Sequence, residues 1–243
     1  MPKHLYTAGD GYCYNGVWPM WSKLMAQVLN CPWTNLSIIG AGNEAIANLV
    51  LDALPTADKD SIWIIQWTTP RRLDLRVDPI RSSQPLLEQI NQDPVYYKNF
   101  ITTAKDRTYW ASSESQLDVV NNYRNLIPLQ QHRDRTRQLQ LAVAYALDQH
   151  KVDWMYIFNY PVDWEKDTLL PSNRIVWTSM SEFRKKSKYA ELDVGEIQPV
   201  SSIHLDFLEE FIFPQYSIDP TRVEKIKEVI LKRDRARKNG PGC

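Results

Sequence analysis

The sequence predicts an α/β fold of three layers, α/β/α, around a central and mostly parallel sheet. Strand-like and helix-like segments alternate along the chain, the order expected when crossover helices connect parallel strands. Two of the strand segments, SIWIIQW at 61–67 and VDWMYIFNY at 152–160, are almost unbroken apolar runs, as strands covered on both faces are. The chain has 243 residues, 43% of them hydrophobic and 24% charged, which suits a soluble domain with one sizeable core.

The elements follow in order. Residues 5–8 read as a strand running into the turn Gly9-Asp10-Gly11. Residues 18–29 are helical, with Trp21, Leu24, Met25 and Val28 on one face. Residues 35–39 form a second apolar strand ending at Gly40-Ala41-Gly42. A helix over 44–54 carries Ile46, Leu49, Val50 and Leu54 on one side, with Asn43 as N-cap and Pro55 closing it. Residues 133–150 are a long helix with Leu139, Val143, Ala146 and Leu147 facing inward. Residues 179–187 are a short charged helix, and 202–213 place Ile203, Phe207, Leu208, Phe211 and Ile212 in an apolar stripe.

Two stretches stand apart. Residues 71–131 are rich in Pro, Gln, Asn and Tyr, with only weak helical patterning at 82–92. They read as an insertion over the carboxyl edge of the sheet, a lid or a contact surface. After a domain over 1–220, residues 221–243 read as an amphipathic helix marked by Val223, Ile226, Val229 and Ile230. A basic run of Lys232, Arg233, Arg235, Arg237 and Lys238 follows. Such a run suits the negative pole of a helix end, and it also suits an acidic partner or nucleic acid.

The 29 basic and 29 acidic residues balance, so the overall charge gives no reason to expect nucleic acid or an anionic membrane as partner. The apolar stretch near the N-terminus stops at Asp10, too short for a signal-peptide core or a membrane span, so synthesis in a cytoplasm is expected. Cys13, Cys31 and Cys243 are odd in number and unrelated in spacing, which argues for reduced thiols rather than a disulfide framework. Neither a P-loop, nor a dinucleotide fingerprint, nor a metal-ligand cluster is present, so no cofactor and no metal are expected. His132 and His150 are isolated and read as surface residues. The pair Arg71-Arg72 either grips an anion or ion-pairs with Asp74 or Asp78. Nine Trp and twelve Tyr are enough to furnish a core, protein interfaces or sugar-stacking faces.

Four stretches fall at predicted strand ends or near the C-terminus: GDGYC from Gly9, NLSIIGAGNEAI from Asn35, IWIIQWT from Ile62 and EIQPVSSIH from Glu196. In this order they resemble the sequence blocks of the SGNH (GDSL-like) hydrolases, most closely the variants found in bacteriophage genomes. The resemblance covers both ends of the chain and leaves the 71–131 insertion and the basic tail outside it. It implies an SGNH-like fold, and it implies a catalytic set against which this sequence is deficient. The nucleophilic serine of the family falls at Gly11, its base at Gln198, and the base's acidic partner at Gly195 or Glu196. The oxyanion-hole asparagine falls at Thr68. Asp10, Gly40 and Asn43 match.

Glycine cannot attack a carbonyl, and glutamine has no titratable nitrogen to take a proton. The resemblance therefore leads to the expectation of a hydrolase-like scaffold that does not hydrolyse. Its role would be structural, through other protein subunits, as a head-decoration or tail-associated component of a phage virion. Two other readings stand beside it. The vestigial cleft, with Asp10, Gly11, Tyr12, Gly40, Asn43, Trp67, Thr68 and Gln198 around it, could hold a glycan or acyl group, with Tyr12, Tyr14 and Trp67 as stacking surfaces. Alternatively, Cys13 as a displaced thiol nucleophile with His204 as base and Glu196 as third member of the triad would make an atypical esterase.

Overall fold

The computed structural model describes residues 2–11, 13, 19–38, 41–70, 72–77, 102–104, 107–112, 126–161, 169–193 and 199–239. At its centre four strands run parallel. β1 (His4–Ala8) lies between β2 (Trp33–Asn35) and β3 (Ser61–Trp67), and β7 (Asp153–Phe158) pairs with the far side of β3. A parallel bridge from Tyr156 to Ile175 continues the sheet beyond β7. The order β2-β1-β3-β7 is that of flavodoxin-like doubly wound sheets. The direction of winding reverses at β1, which leaves a crevice beyond the carboxyl ends of β1 and β3.

Side-chain alternation assigns the two faces. On β3, Ile62 and Ile64 join Leu5, Met155 and Ile157 in one core. Its Trp63, Ile65 and Trp67 join Ala8, Trp154, Tyr156 and Phe158 in the other. The first core is covered by α1 (Trp21–Leu29), α4 (Met180–Lys186), α5 (Ser201–Phe207) and α6 (Pro220–Asn239), the second by α2 (Asn43–Ala53) and α3 (Leu129–His150). The result is the three-layer α/β/α domain that the apolar runs predicted. All seven residues of β3 are buried, which is why its sequence shows no polar alternation.

Several expectations need correction. The second strand starts and stops earlier than predicted, although the Leu36 and Ile38 amides still donate to the Thr7 and Gly9 carbonyls at 2.7 and 3.1 Å. The inserted segment contains an antiparallel sheet of β4 (Leu73–Val77), β6 (Arg107–Ser112) and β5 (Thr102–Ala104), in that order. The predicted helical patch at 82–92 lies outside the described residues. Short antiparallel strands such as RTYWAS mix polar and apolar residues and lack the continuous apolar signature of the central strands. His132 is buried rather than superficial, because it lies on the face of α3 that packs inward.

The C-terminal helix docks on the domain through its apolar stripe. Val223 and Ile230 of α6 are buried in the first core, and the buried carboxylate of Asp234 accepts a hydrogen bond from the Ser202 amide at 2.8 Å, pinning α6 to the start of α5. Val229, predicted on the apolar face, is 69% exposed. Of the basic run, Arg233 is engaged with Asp234, while Lys232 and Arg235 are exposed and Arg237 is half-buried.

Candidate functional site

The carboxyl ends of the central strands converge on Asp10. It follows β1 directly and is wholly buried. Its Oδ2 accepts three hydrogen bonds: from the Thr68 hydroxyl just past β3 (2.9 Å), from Asn159 Nδ2 just past β7 (2.7 Å) and from Arg72 Nη1 (2.7 Å). Arg72 also donates to the Ala41 carbonyl at 3.3 Å, and its side chain is 13% exposed. One carboxylate thus ties together three strand ends and the loop leading to the inserted sheet. The Arg71-Arg72 pair was expected either to grip an anion or to ion-pair with Asp74 or Asp78. Arg72 instead reaches Asp10, while Arg71 and Asp78 lie outside the described residues.

Thr68, at the position where the family carries its oxyanion asparagine, turns its hydroxyl to Asp10, and its backbone is clasped by Asn43. The Thr68 amide donates to Asn43 Oδ1 at 2.9 Å, and Asn43 Nδ2 donates to the Thr68 carbonyl and to Thr136 Oγ1, both at 3.1 Å. Asn43 therefore is not the N-cap of α2 that its sequence position suggested. It is the first helical residue, and the cap position is Gly42, which has no side chain to offer. The capping acceptor comes from the inserted sheet. Asp74 accepts from the Gly42 amide at 2.7 Å and the Ala45 amide at 2.8 Å. A Cβ on Gly42 would stand 2.6 Å from Asp74 Oδ2, so only glycine admits this approach. Burial, with Glu44 adding to it, pushes the Asp74 carboxyl up to about 6, against the opposing pull of the backbone amides.

The turn after β1 is equally tight. The Cys13 amide donates to the Asp10 carbonyl at 3.0 Å, and a Cβ on Gly9 would fall 2.9 Å from the Cβ atoms of both Cys13 and Gln66. Gly11 is half-buried in this turn. Tyr12, Tyr14, Gly40, Gly195, Glu196 and Gln198 lie outside the described residues.

Cys13 and His204 are poorly placed for chemistry. Cys13 is fully buried, and burial pushes its thiol up to about 12, so essentially no thiolate forms at neutral pH. His204 is fully buried on α5, and burial, reinforced by Arg184, pushes its imidazole down to about 3. Trp67, expected as a stacking surface, is core: its ring is wholly buried and packs edge-on against Tyr156 at 5.3 Å.

Beside this network is a cleft of about 20 Å³, room for about one water, lined by Asn43, Glu44, Arg72, Asp74, His132 and Arg135. A larger groove of about 430 Å³ lies at the opposite end of the strands, against Val28, Leu29, Ile62, Tyr216 and Arg222. Among the described residues no three His, Cys, Asp or Glu side chains converge as a metal site, and no helix is long and apolar enough to cross a membrane. Sequence reasoning marked Asp10, Asn43 and Thr68 but missed Asn159 and the partner of Arg72. A signal for Asn159 existed: it is the first polar residue after the apolar run of the last central strand.

Comparison of the chain with family models, with curated proteins and with solved structures finds no match.

Proposed function

We propose that this chain is a hydrolase-like scaffold that no longer hydrolyses and that works by binding other protein subunits, as a head-decoration or tail-associated component of a phage virion. The observation that carries the reading is the state of the Asp10 turn. The residue after Asp10 is Gly11, which has no attacking group, and the Asp10 carboxylate is committed to Thr68, Asn159 and Arg72. The strand ends where an SGNH-like enzyme would hold its chemistry are joined by an internal ionic network. The burial of Cys13 and His204 supports the same reading, since Cys13 stays a neutral thiol and the His204 imidazole, enclosed and weakly basic, is a poor acceptor for its proton. The virion assignment rests on the phage-like style of the sequence blocks and on a scaffold kept without its catalytic set.

Two measurements test it. Purified protein is expected to release no p-nitrophenol from short acyl esters and to resist a fluorophosphonate probe. Gly11→Ser alone is expected to fold and to remain inactive, because Gln198 supplies no base. Turnover abolished by Cys13→Ala would overturn the inactive reading. For the assembly role, the polypeptide is expected in purified particles at a fixed ratio to the major structural proteins, and its absence from them would sink that assignment.

A further inference from the structure

We infer that the C-terminal half of α6 is a contact surface for duplex nucleic acid, meeting the phosphate backbone without reading its sequence. Between Leu231 and Lys238 the exposed side chains are Lys232, Arg235, Ala236 and Lys238. The one acid in this stretch is turned away from solvent: the buried Asp234 carboxylate accepts from the Ser202 amide at 2.8 Å and from the Arg233 guanidinium at 3.1 Å. Arg237 is half-buried. The exposed positions of the stretch therefore carry three positive charges and no negative one. Glu224 and Glu228 are exposed earlier on the helix, and Glu224 answers Lys227 at 3.3 Å. Among the described residues no acid stands within ion-pair distance of Lys232, Arg235 or Lys238. Three cations also exceed what the helix end itself calls for, since its negative pole amounts to about half a charge.

Composition selects the occupant. Protein interfaces gather aromatic residues and methionine at their core and are poor in lysine, whereas this stretch exposes Ala236 as its one apolar side chain, with Val229 a turn earlier. A membrane-surface helix turns a broad apolar face outward, and the apolar stripe of α6, Val223 and Ile230, is spent on the first core. Single strands are held by stacking bases on aromatic rings, and residues 231–238 contain none. A positive, polar surface without stacking platforms suits the backbone of a duplex. Spacing agrees: Lys232, Arg235 and Lys238 advance about 4.5 Å and turn roughly 60° per step, a strip about 9 Å long that winds around the helix end. One strand of a duplex presents about three phosphates in that length. Because the whole chain is neutral, the contact is local, one cation to each phosphate, rather than an extended track.

The inference goes beyond the inactive-scaffold reading and stands whether or not the Asp10 turn is catalytic, so the two fail separately. The test is fluorescence anisotropy of a labelled DNA duplex of about 24 bp, titrated with the full chain between about 25 and 100 mM salt. Wild type is expected to bind with a log–log salt slope of about −3, each phosphate contact contributing about −0.9. Arg235→Gln should reduce that slope by about 1. Lys232→Gln with Arg235→Gln and Lys238→Gln, at an unchanged thermal midpoint, should weaken binding at least ~10-fold at about 25 mM salt. Lys59→Gln, an exposed lysine in the loop before β3, should leave it unchanged. No binding at the lowest salt, or binding indifferent to the triple substitution, would overturn the proposal. Tighter binding to the single strand would overturn the duplex assignment. Displacement of the duplex by poly-L-glutamate as readily as by unlabelled duplex, at equal charge concentration, would overturn it in favour of an acidic protein.

Discussion

At the scale of single residues, Asp10 matters more for what it accepts than for any reaction. Three donors from three segments share one carboxylate oxygen in a buried site, and one of them is a guanidinium. Removing the acceptor takes the carboxylate from the Arg72 guanidinium, and breaking a buried pair from one side costs about 3–5 kcal/mol. Asp10→Ala is therefore expected to lower the unfolding free energy by about that amount in urea titrations. Removing both charges, as Asp10→Asn with Arg72→Met, should recover a substantial part. A loss below about 1 kcal/mol for Asp10→Ala would show that the network does not hold the strand ends together. None of this could be read from spacing, because Asp10 and its three donors lie on stretches of chain that meet only once the sheet has formed. Sequence position marked Asp10 and Thr68 but not the hydrogen bond between them.

At the scale of elements, helix α2 begins without a capping side chain of its own, and β4 supplies the acceptor from across the fold. Asp74→Ala should cost about 1 kcal/mol at neutral pH and speed amide exchange in the first turn of α2. The cost should depend on pH. The folded carboxyl titrates near 6, above the ordinary carboxylate value, so between about 6 and about 4 the folded state holds a proton that the unfolded chain has released. The contribution of this group is full below the unfolded value and is lost as pH rises through 6. The gap between wild type and Asp74→Ala should accordingly widen from pH 7.5 to pH 5. A gap that narrows would mean that the amides, not burial, set the titration. The contrast with β3 and β7 explains what sequence could reveal: strands buried on both faces announce themselves as apolar runs, whereas a cap donated 32 residues along the chain leaves no local trace. The small antiparallel sheet was illegible for a related reason, its short strands having no periodicity strong enough to stand out from loop.

At the scale of the whole molecule, α6 is part of the domain. Val223 and Ile230 enter the first core, and burying each such side chain is worth about 1.5–3 kcal/mol. Truncation before Pro220 is expected to lower the thermal midpoint sharply or abolish cooperative unfolding, and an unchanged midpoint would show that α6 adds nothing to the stability of the domain. The layered plan has a last consequence, an optical one. Strands β1, β3 and β7 place these rings on one face: Tyr6 stacks on Trp63 at 4.4 Å, while Trp67 and Trp154 both meet Tyr156, all on the side covered by α2 and α3. The opposite face of β3 and β7 contributes Ile62, Ile64, Met155 and Ile157. Near-ultraviolet dichroism from these coupled chromophores is therefore weighted toward one layer of the sandwich. It makes the protein its own unlabelled reporter for any event that presses on α3.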